Sequence, residues 1–378
     1  MTNSDLYGII NRFNIQGKID GVKAYGSGHI NDTYLLKNND SSLPDYLLQK
    51  INNHVFKDVD GLMLNIDQVL RHLKQKAQST PGMDPELNVL TLVKCKDGRL
   101  SLVDDNGGHW RVFHFMKDTL SYDQVTTENQ ALQGGLAFGS FMSTLADLDP
   151  ALLMQTIPDF LNIEKRLKDF DIAIHSDSLG RLSTVNEEVA FLLERSSKMM
   201  NILQLGNAGI LPLRITHNDT KFNNVLLGKD DRFQCVIDLD TVMPGYAAYD
   251  FGDAVRTIIN QGSEDEKDLS KIRLNLPLFT AFTRGFLSET SSILTEREVQ
   301  TLVDGVLLLP YMQAVRFLTD HLNGDVYYKI NAEGHNLQRT RAQIQLVKLL
   351  EEHLDELYNI IQREWTNIKN ESSIIKII

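Results

Sequence analysis

The sequence predicts an α+β protein with two lobes, a small antiparallel β-rich N-terminal lobe and a large mostly α-helical C-terminal lobe. Short β-like runs separated by Gly, Asn and Asp turn signals dominate before about residue 125, and helical periodicity dominates after Thr126. A chain of 378 residues also exceeds what one hydrophobic core usually serves. We therefore expect lobes at residues 1–120 and 121–378, joined by a connector around 116–124.

The predicted N-terminal lobe combines an antiparallel sheet with one helix. The segment DVDGLMLNIDQVLRHLKQKAQS places Leu62, Ile66 and Val69 at helical spacing and ends before Pro81, which predicts a helix against the sheet. Apolar or alternating runs bounded by turn residues predict the strands Ile19–Tyr25, Thr33–Leu36, Tyr46–Ile51, Leu90–Lys94, Arg99–Val103 and Trp110–Met116.

The rest of the chain predicts helices with few interruptions. Apolar residues recur there at a spacing of three and four, which is typical of helices that bury one face. The predicted helices cover residues 127–147, 159–175, 185–206, 250–262, 265–288, 295–323 and 335–365.

Composition and charge exclude several classes of protein. With 38 Lys and Arg against 50 Asp and Glu, the formal net charge of −12 argues against a nucleic-acid surface. The sequence contains neither a signal-peptide pattern nor an apolar run long enough to suggest a membrane span, so we expect a cytoplasmic protein. Cys95 and Cys235 are too few for a disulfide framework or a zinc site, and we expect both to be buried as small hydrophobic residues.

A glycine-rich turn lies between the first two predicted strands, in the stretch YGSGHIND. Gly26, Ser27 and Gly28 would let backbone amides approach a phosphate closely, although the same pattern is also typical of an ordinary hairpin turn. Lys50 follows in the apolar strand YLLQKI, as in the lysine-bearing strand of kinase-like nucleotide sites. A lysine at the edge of the sheet is the alternative interpretation.

The segment HNDTKFNN, residues 217–224, has the H-x-D-x-x-x-x-N spacing of the kinase catalytic loop. At this spacing the Asp219 carboxylate can accept the proton of an attacking hydroxyl, and the Asn224 amide oxygen can reach a metal that bridges phosphates. The apolar strand that follows places Asp238 at its end, where a carboxylate can complete a magnesium site. Lys221 supplies a local positive charge. The acidic residues are thus interpreted as surrounding a divalent cation and a polyphosphate.

The letters D-F-G occur at residues 250–252, but they come too late in the chain to supply the metal ligand. A kinase-like fold places that aspartate roughly twenty residues after the catalytic one, which fits Asp238. We expect Asp250 and Asp253 to begin a helix, with Asp250 hydrogen-bonded to the catalytic-loop backbone. Asp240 is either a second metal ligand or, as we favour, a turn residue. His217 is expected to pack and to shape the loop.

The stretches HNDTKFNNVLL and VIDLDTVMPGYAAYDFGDAVR resemble the aminoglycoside phosphotransferase and choline kinase superfamily, whose motif is H-G-D-x-x-x-x-N followed by I-D. Within it, the sequence is most similar to the bacterial N-acetylhexosamine 1-kinases. That likeness continues in YGSGHINDTY, LQKINNHVFKD, ADLDPALLMQTIPDF and AVRFLTDHLNGDVYYKI, and so spans nearly the whole chain. The resemblance implies a two-lobed protein-kinase-like fold and transfer of a phosphoryl group from ATP, with Mg²⁺, to the anomeric hydroxyl of an N-acetylhexosamine.

Carried over position by position, the resemblance also implies roles for individual residues. Asp219 would be the general base and contact the acceptor, Lys221 would assist it in catalysis, and Asn224 and Asp238 would bind magnesium. The implied nucleotide-binding residues are Gly26, Ser27 and Gly28 over the phosphates, Lys50 at the α- and β-phosphates, and Phe115 and Met116 in the adenine-facing connector.

Arg316, in the stretch AVRFLTD, resembles the sugar-binding arginine of the hexosamine kinases, and His29 and Tyr327 would help it. The apolar neighbours of Arg316 allow a different interpretation, a buried salt bridge to a carboxylate. Tyr327 could likewise pack against Tyr328 without contacting a ligand.

Two departures from the family pattern leave alternatives open. Asn218 replaces the more usual glycine of the motif, and the predicted N-terminal helix has no Glu to pair with Lys50, Asp67 being the only acid well placed on it. Separately, the acceptor could be another small alcohol, such as an amino alcohol, methylthioribose or an aminoglycoside, an option that the acidic surplus of the chain leaves open. The protein could also be a non-catalytic pseudokinase.

Overall fold

The computed structural model describes residues 3–26, 30–260 and 262–375. The chain forms two compact units, one comprising Met1–Leu120, Asp147–Pro158 and Leu226–Pro244, the other Ser121–Ala146, Asp159–Val225 and Gly245–Ile378. The first is rich in antiparallel strands and the second is mostly helical, which confirms the predicted fold class. The division into functional lobes at residues 1–120 and 121–378 stays a prediction.

Among the described residues, six strands form the main sheet of the first unit. They are β1 (Ile19–Ala24), β2 (Asp32–Asn38), β3 (Tyr46–Ile51), β4 (Leu92–Val93), β5 (Leu102–Val103) and β6 (His109–His114). Their order is β1-β2-β3-β6-β4, β5 also pairs with β6, and every pairing is antiparallel. The alternating apolar runs of the sequence thus mark each strand of this sheet.

Short strands follow along the rest of the chain. They are β7 (Thr119–Leu120), β8 (Arg214–Thr216), β9 (Val225–Gly228), β10 (Phe233–Val236) and β11 (Met243–Gly245). Strand β9 lies between β7 and β10, so the middle of the predicted connector is paired with a strand.

The helices of the first unit are α1 (Asn3–Ile10), α2 (Val59–Ser79) and α3 (Pro85–Asn88). Helix α2 confirms the predicted helix, and the Asp58 carboxylate caps it by accepting a hydrogen bond from the Gly61 N–H at 2.9 Å. The sequence analysis missed α1. Its Leu6 and Ile9 belong to the buried cluster that contains Trp110 of the sheet, so tertiary packing stabilises this short helix.

The helices of the second unit are α4 (Glu128–Thr144), α5 (Ile163–Ser176), α6 (Asn186–Met199), α7 (Asn201–Asn207), α8 (Ala247–Ile258), α9 (Leu276–Thr290), α10 (Glu296–Leu322), α11 (His335–Glu352) and α12 (Leu354–Ile375). Two predicted helices, 185–206 and 335–365, are each divided in two. The prediction for 265–288 was wrong at its start, because the Asn275 side chain caps α9 and Pro277 occupies its first turn.

Helix α10 packs against α5, α8 and α11 and is largely buried. It begins with a capping box, in which Thr295 and Glu298 each satisfy the other's backbone N–H. By length and composition α10 could cross a membrane, with a mean hydropathy of 1.3 over an 18-residue window. However, 83% of that window is buried inside the protein, as in a core helix.

Both cysteines lie in the first unit and are buried, as the sequence predicted. Burial raises the pKa of each thiol, and that of Cys235 rises to about 12. They therefore behave as small hydrophobic residues.

Helices α8 and α10 approach each other closely because glycines face each other across the contact. A Cβ atom on Gly252 would lie 2.2 Å from the Gly305 carbonyl oxygen, and one on Gly305 would lie 1.9 Å from the Ala248 oxygen. Side chains at these positions would force the helices apart. The start of α8 is thereby held against the core helix.

Gly305→Ala should lower the free energy of unfolding by about 1–3 kcal/mol, because the added methyl group overlaps backbone that cannot yield cheaply. Chemical denaturation measures this loss. Gly8→Ala in α1 is the matched control, since no described atom lies within 4 Å of its added Cβ. We expect the control to be neutral or stabilising by up to about 1 kcal/mol. Equal effects of the two substitutions would contradict the close contact.

Candidate active site

The predicted catalytic loop begins where β8 ends and passes through a short 3-10 turn, Phe222–Asn224, before β9. His217 is fully buried, with its ring against the edges of Phe138 and Phe141 at centroid distances of 5.7 and 5.6 Å. The structure thus places this histidine as a packing residue, as expected. It anchors the start of the loop in the helical unit.

Two carboxylates near the start of α8 hold the backbone of this loop. Asp250 accepts hydrogen bonds from the N–H groups of His217 and Asn218 at 2.8 and 2.7 Å, and Asp253 accepts one from the Thr220 N–H at 2.8 Å. Burial raises the pKa of Asp250 to about 6. The expected structural role of the D-F-G aspartate is therefore observed.

Asn218 has the left-handed backbone conformation, with φ of 62°. Asparagine tolerates this conformation better than most residues, because its short polar side chain can bond locally. The Asn218 Oδ1 accepts a hydrogen bond from the Thr216 hydroxyl at 3.0 Å. The residue that departs from the family's usual glycine thus keeps the backbone shape that glycine would allow.

The Asp219 carboxylate lies between a cation and an amide. Lys221 Nζ is 3.0 Å from Asp219 Oδ1, and Asn224 Nδ2 donates to the Asp219 carbonyl at 2.8 Å and to its Oδ2 at 3.3 Å. Burial alone would raise the pKa of Asp219, but the nearby charges of Lys221 and His217 outweigh it and hold the pKa below its usual value. The side chain is 24% exposed, so this anionic carboxylate can be reached from solvent.

The amide of Asn224 is oriented by these contacts. Both of its side-chain hydrogen bonds use the nitrogen, and its oxygen Oδ1 accepts none from the residues that the structure describes. An oxygen held next to a carboxylate in this way has the chemistry of a ligand for a hard divalent cation.

A buried ion-pair network surrounds the loop, and sequence analysis missed it. Arg256 of α8 bonds to Asp253 at 2.8 Å and to Glu264 at 2.9 Å. The charge of Asp219 raises the pKa of Lys221 against the opposing effect of its burial, and Glu264 adds to that increase. The negative charges of Asp219 and Glu264 therefore stabilise the protonated form of Lys221.

In the first unit, Asp238 follows β10 and also has the left-handed conformation, with φ of 61°. Aspartate tolerates this conformation better than most residues, and five other aspartates among the described residues adopt it. Asp240 lies two residues later and forms a buried, bidentate ion pair with Arg111 of β6. It also accepts a hydrogen bond from the Asn31 side-chain amide at 2.7 Å. The sequence analysis had weighed a metal ligand against a turn residue and missed this pair.

The predicted nucleotide-binding residues that the structure describes all lie in the first unit. Gly26 has φ of +77°, and no described atom lies within 4 Å of where its Cβ would be, so the turn is open on that side. The Phe115 N–H donates to the Asp45 carbonyl at 2.9 Å, and Met116 is buried. The predicted site residues Ser27, Gly28 and His29 lie outside the described residues.

Lys50 lies near the face of Trp110, with Nζ 5.8 Å from the ring centroid. Among the described residues no carboxylate comes within ion-pair distance of Lys50, and the alternative partner Asp67 pairs with Arg71 instead. Lys50 therefore forms no direct ion pair among the described residues, although its charge helps to lower the pKa of Asp104.

Arg316 and Tyr327 meet in the helical unit. They line a cavity of about 290 Å³ together with Arg166 and Tyr328, which the sequence analysis did not assign to a site. The buried salt bridge considered for Arg316 is absent among the described residues. Instead its guanidinium lies 5.5 Å from the ring centroids of Phe160 and Tyr328.

The comparison with known proteins decides the family. Residues 21–274 match the model of the phosphotransferase enzyme family, APH. The chain belongs to this family. It is therefore a small-molecule phosphotransferase, and the superfamily resemblance is confirmed.

Solved structures show the same fold. An aminoglycoside phosphotransferase from Alicyclobacillus acidocaldarius is 11% identical with a TM-score of 0.61, over 93% of this chain and 96% of that one. A choline kinase from Cryptosporidium parvum is 15% identical with a TM-score of 0.60, over 94% and 98%. An amicoumacin kinase is 15% identical with a TM-score of 0.59, over 91% and 93%. At these identities the likeness concerns the fold alone.

Arg111→Leu should lower the free energy of unfolding by about 3–5 kcal/mol, because it leaves the buried Asp240 carboxylate without its cation. Replacing Asp240 by Leu as well should recover most of the loss, since no buried charge remains. Arg99→Leu is the matched control, because the Arg99–Asp97 pair is about half exposed and should contribute less than about 1 kcal/mol. Similar losses in the two single variants, measured by chemical denaturation, would contradict the buried pair.

Proposed function

We propose that this phosphotransferase transfers the γ-phosphoryl group of ATP, with Mg²⁺, to the anomeric hydroxyl of an N-acetylhexosamine. The observation that carries the phosphoryl transfer is the accessible Asp219 carboxylate, held between Lys221 and Asn224 on a loop whose backbone is fixed by α8. The hexosamine acceptor rests on the sequence resemblance and on the charge of the Arg316 pocket.

The use of a nucleotide and a divalent cation is supported by a structural neighbour. The amicoumacin kinase is described in complex with AMP-PNP, Ca²⁺ and its ligand Ami. The donor chemistry of the two proposed ligands suits such a cation, because the Asn224 amide oxygen and the Asp238 carboxylate are each hard oxygen donors. We assign Mg²⁺ to these two residues, where it would neutralise charge on the phosphate oxygens.

Asp219 would accept the proton of the attacking hydroxyl. A carboxylate with a lowered pKa is a weak base, so its main contribution is to orient the hydroxyl towards the phosphorus atom. A weak base is sufficient for a loose transition state. In such a state the bond between the hydroxyl oxygen and phosphorus is little formed, so the hydroxyl has lost little of its proton. Lys221 would hold Asp219 in place and add positive charge beside the transferred group.

The nucleotide would bind to the first unit. The open turn at Gly26 would cover the phosphates, Lys50 would approach them, and Phe115 and Met116 would face the adenine. Lys50 has no carboxylate partner among the described residues, so its ammonium group is available for phosphate oxygens. Ser27, Gly28 and His29 keep their proposed roles without a structural description.

Arg316 and Tyr327 would bind the sugar. Tyr327 packs edge-to-face against Tyr328, with ring centroids 4.8 Å apart, and is still 63% exposed, so it would contact the sugar with its exposed side. The guanidinium groups of Arg166 and Arg316 lack a direct carboxylate partner among the described residues, so they favour a ligand that accepts hydrogen bonds over a polycationic aminoglycoside. A sugar without positive charge fits this pocket better. The cytoplasmic location expected from the sequence stays a prediction.

The acceptor is tested by coupled ADP release over a panel of sugars, amino alcohols and an aminoglycoside. We expect turnover with N-acetylglucosamine or N-acetylgalactosamine, and a product whose phosphate NMR signal couples to the anomeric proton. Turnover restricted to the cationic acceptors would overturn the sugar assignment while leaving the kinase assignment intact. Absence of turnover with every acceptor, in the presence of bound nucleotide, would favour the pseudokinase.

Asp219→Asn should lower kcat by roughly 10²–10⁴-fold, because the amide cannot accept the hydroxyl proton. Nucleotide binding, measured by calorimetry with Mg²⁺ present, should be retained. Asp171→Asn, which changes an exposed carboxylate of α5, is the matched control and should turn over at the wild-type rate. Wild-type kcat in Asp219→Asn would refute the assigned role.

A further inference from the structure

Two arginines of the helical unit project into one cavity. Arg166 comes from α5, Arg316 comes from α10, and the chain after α10 closes the cavity with Tyr327 and Tyr328. We call this cavity the two-arginine pocket. Its volume of about 290 Å³ is near the lower limit for small-ligand pockets, roughly 300–1,000 Å³. It is therefore suited to a ligand of about the size of a monosaccharide.

Among the described residues, neither guanidinium of the pocket bonds directly to a carboxylate. Arg316 donates to the neutral Gln313 Oε1 at 3.1 Å, and Arg166 Nη2 donates to the carbonyl oxygens of Asp159 and Phe160 at 3.0 and 2.9 Å. Within the described parts of the chain, neither arginine forms an ion pair with a carboxylate. The pocket therefore holds two guanidinium groups without a direct carboxylate partner, in a protein whose formal net charge is −12.

The two carboxylates that line the pocket are already occupied. Asp320 accepts hydrogen bonds from the N–H groups of Val326, Tyr327 and Tyr328 at 2.8–3.0 Å, and from the Asn336 amide at 2.8 Å. It thereby holds the aromatic segment in place. Asp169 pairs with Lys165 one turn earlier on α5. Both acids keep their negative charge, and that of Asp169 acts on Arg166, but neither carboxylate bonds directly to an arginine of the pocket.

Polar groups in the pocket also lack partners. The Arg166 Nε and the Tyr328 hydroxyl are buried, and neither has a hydrogen-bond partner among the described residues. Burial and the neighbouring charge of Arg316 both lower the pKa of Arg166, which means that its charged form is held at a cost. Unsatisfied buried donors and repelling cations are both relieved by a bound anion.

We propose that the two-arginine pocket is an anion site, in which Arg166 and Arg316 bind a phosphate or carboxylate group and the Tyr328 hydroxyl donates a further hydrogen bond. This proposal rests on the proposed function in one respect, since Arg316 is also the assigned sugar ligand. The anion can then be a substituent of the acceptor itself or a free anion that competes with the acceptor.

The pocket is electrostatically connected to the catalytic loop. The charge of Glu264 acts on Tyr328 in the pocket and on Lys221 beside Asp219, so Glu264 lies within Coulombic range of both. A ligand that reached both the pocket and Asp219 would be bound at two points, by its anionic group and by its reacting hydroxyl. Acceptors with a second, anionic anchor should be bound more tightly than neutral ones.

The test compares N-acetylglucosamine with N-acetylglucosamine 6-phosphate as acceptors, and measures competition by inorganic phosphate. We expect wild-type enzyme to prefer the phosphorylated sugar in kcat/KM, or to be inhibited by phosphate competitively with the sugar. Arg166→Gln should reduce that preference, or the phosphate affinity, on the order of tenfold or more, because charge-assisted hydrogen bonds are lost. Arg166→Lys should retain part of it.

Lys168→Gln is the matched control, since it removes an exposed charge from the same helix outside the pocket. It should leave both the preference and the phosphate affinity at wild-type values. Thermal denaturation of each variant shows whether it is folded. If wild-type enzyme neither prefers the phosphorylated sugar nor binds phosphate, or if Arg166→Gln and Lys168→Gln behave alike, the anion site is overturned.

The outcomes separate this proposal from the proposed function. Phosphate binding that depends on Arg166, with no turnover of any sugar, supports the anion site and refutes the sugar kinase. Turnover of neutral sugar without an Arg166-dependent anion effect supports the sugar kinase and refutes the anion site. A preference for the phosphorylated sugar identifies the anion as part of the acceptor, whereas phosphate competition alone identifies a free anion.

Discussion

The geometry of the predicted catalytic loop depends on two carboxylates presented by α8. Asp250 and Asp253 accept hydrogen bonds from loop N–H groups that otherwise would be buried without acceptors. The raised pKa of Asp250 shows that burying this carboxylate costs free energy, and its two backbone hydrogen bonds offset part of that cost. The position of α8 is in turn set by the contact of Gly252 with Gly305 of the core helix α10. Orientation of Asp219 and Asn224 thus follows from helix packing.

Sequence reasoning was most successful where the signal is local. The alternating runs predicted the strands of the main sheet, and the spacing of residues 217–224 identified the loop in which Asp219, Lys221 and Asn224 contact one another. Helix α1 was missed because its eight residues gain their stability from the sheet beneath them. The divided helices 185–206 and 335–365 carry no proline or glycine at the interruption, so no residue in the sequence marks it.

Site residues that sequence reasoning missed are those whose role depends on long-range pairing. Arg111 and Asp240 are 129 residues apart, and nothing adjacent to either predicts their buried ion pair. Arg256 and Glu264 are closer in sequence, but an intervening helix end brings them together. Arg166 became significant only when the fold placed it in the same cavity as Arg316. A lone arginine on an amphipathic helix is otherwise read as a surface residue.

The burial of both cysteines has a practical consequence for spectroscopy. Thiol reagents attack the thiolate, and a buried thiol with a raised pKa supplies little of it near neutral pH. A cysteine introduced at an exposed position would therefore react selectively with a maleimide dye or spin label, without prior removal of Cys95 or Cys235. Distances between pairs of such labels can then be followed as nucleotide and acceptor are added to the otherwise native chain.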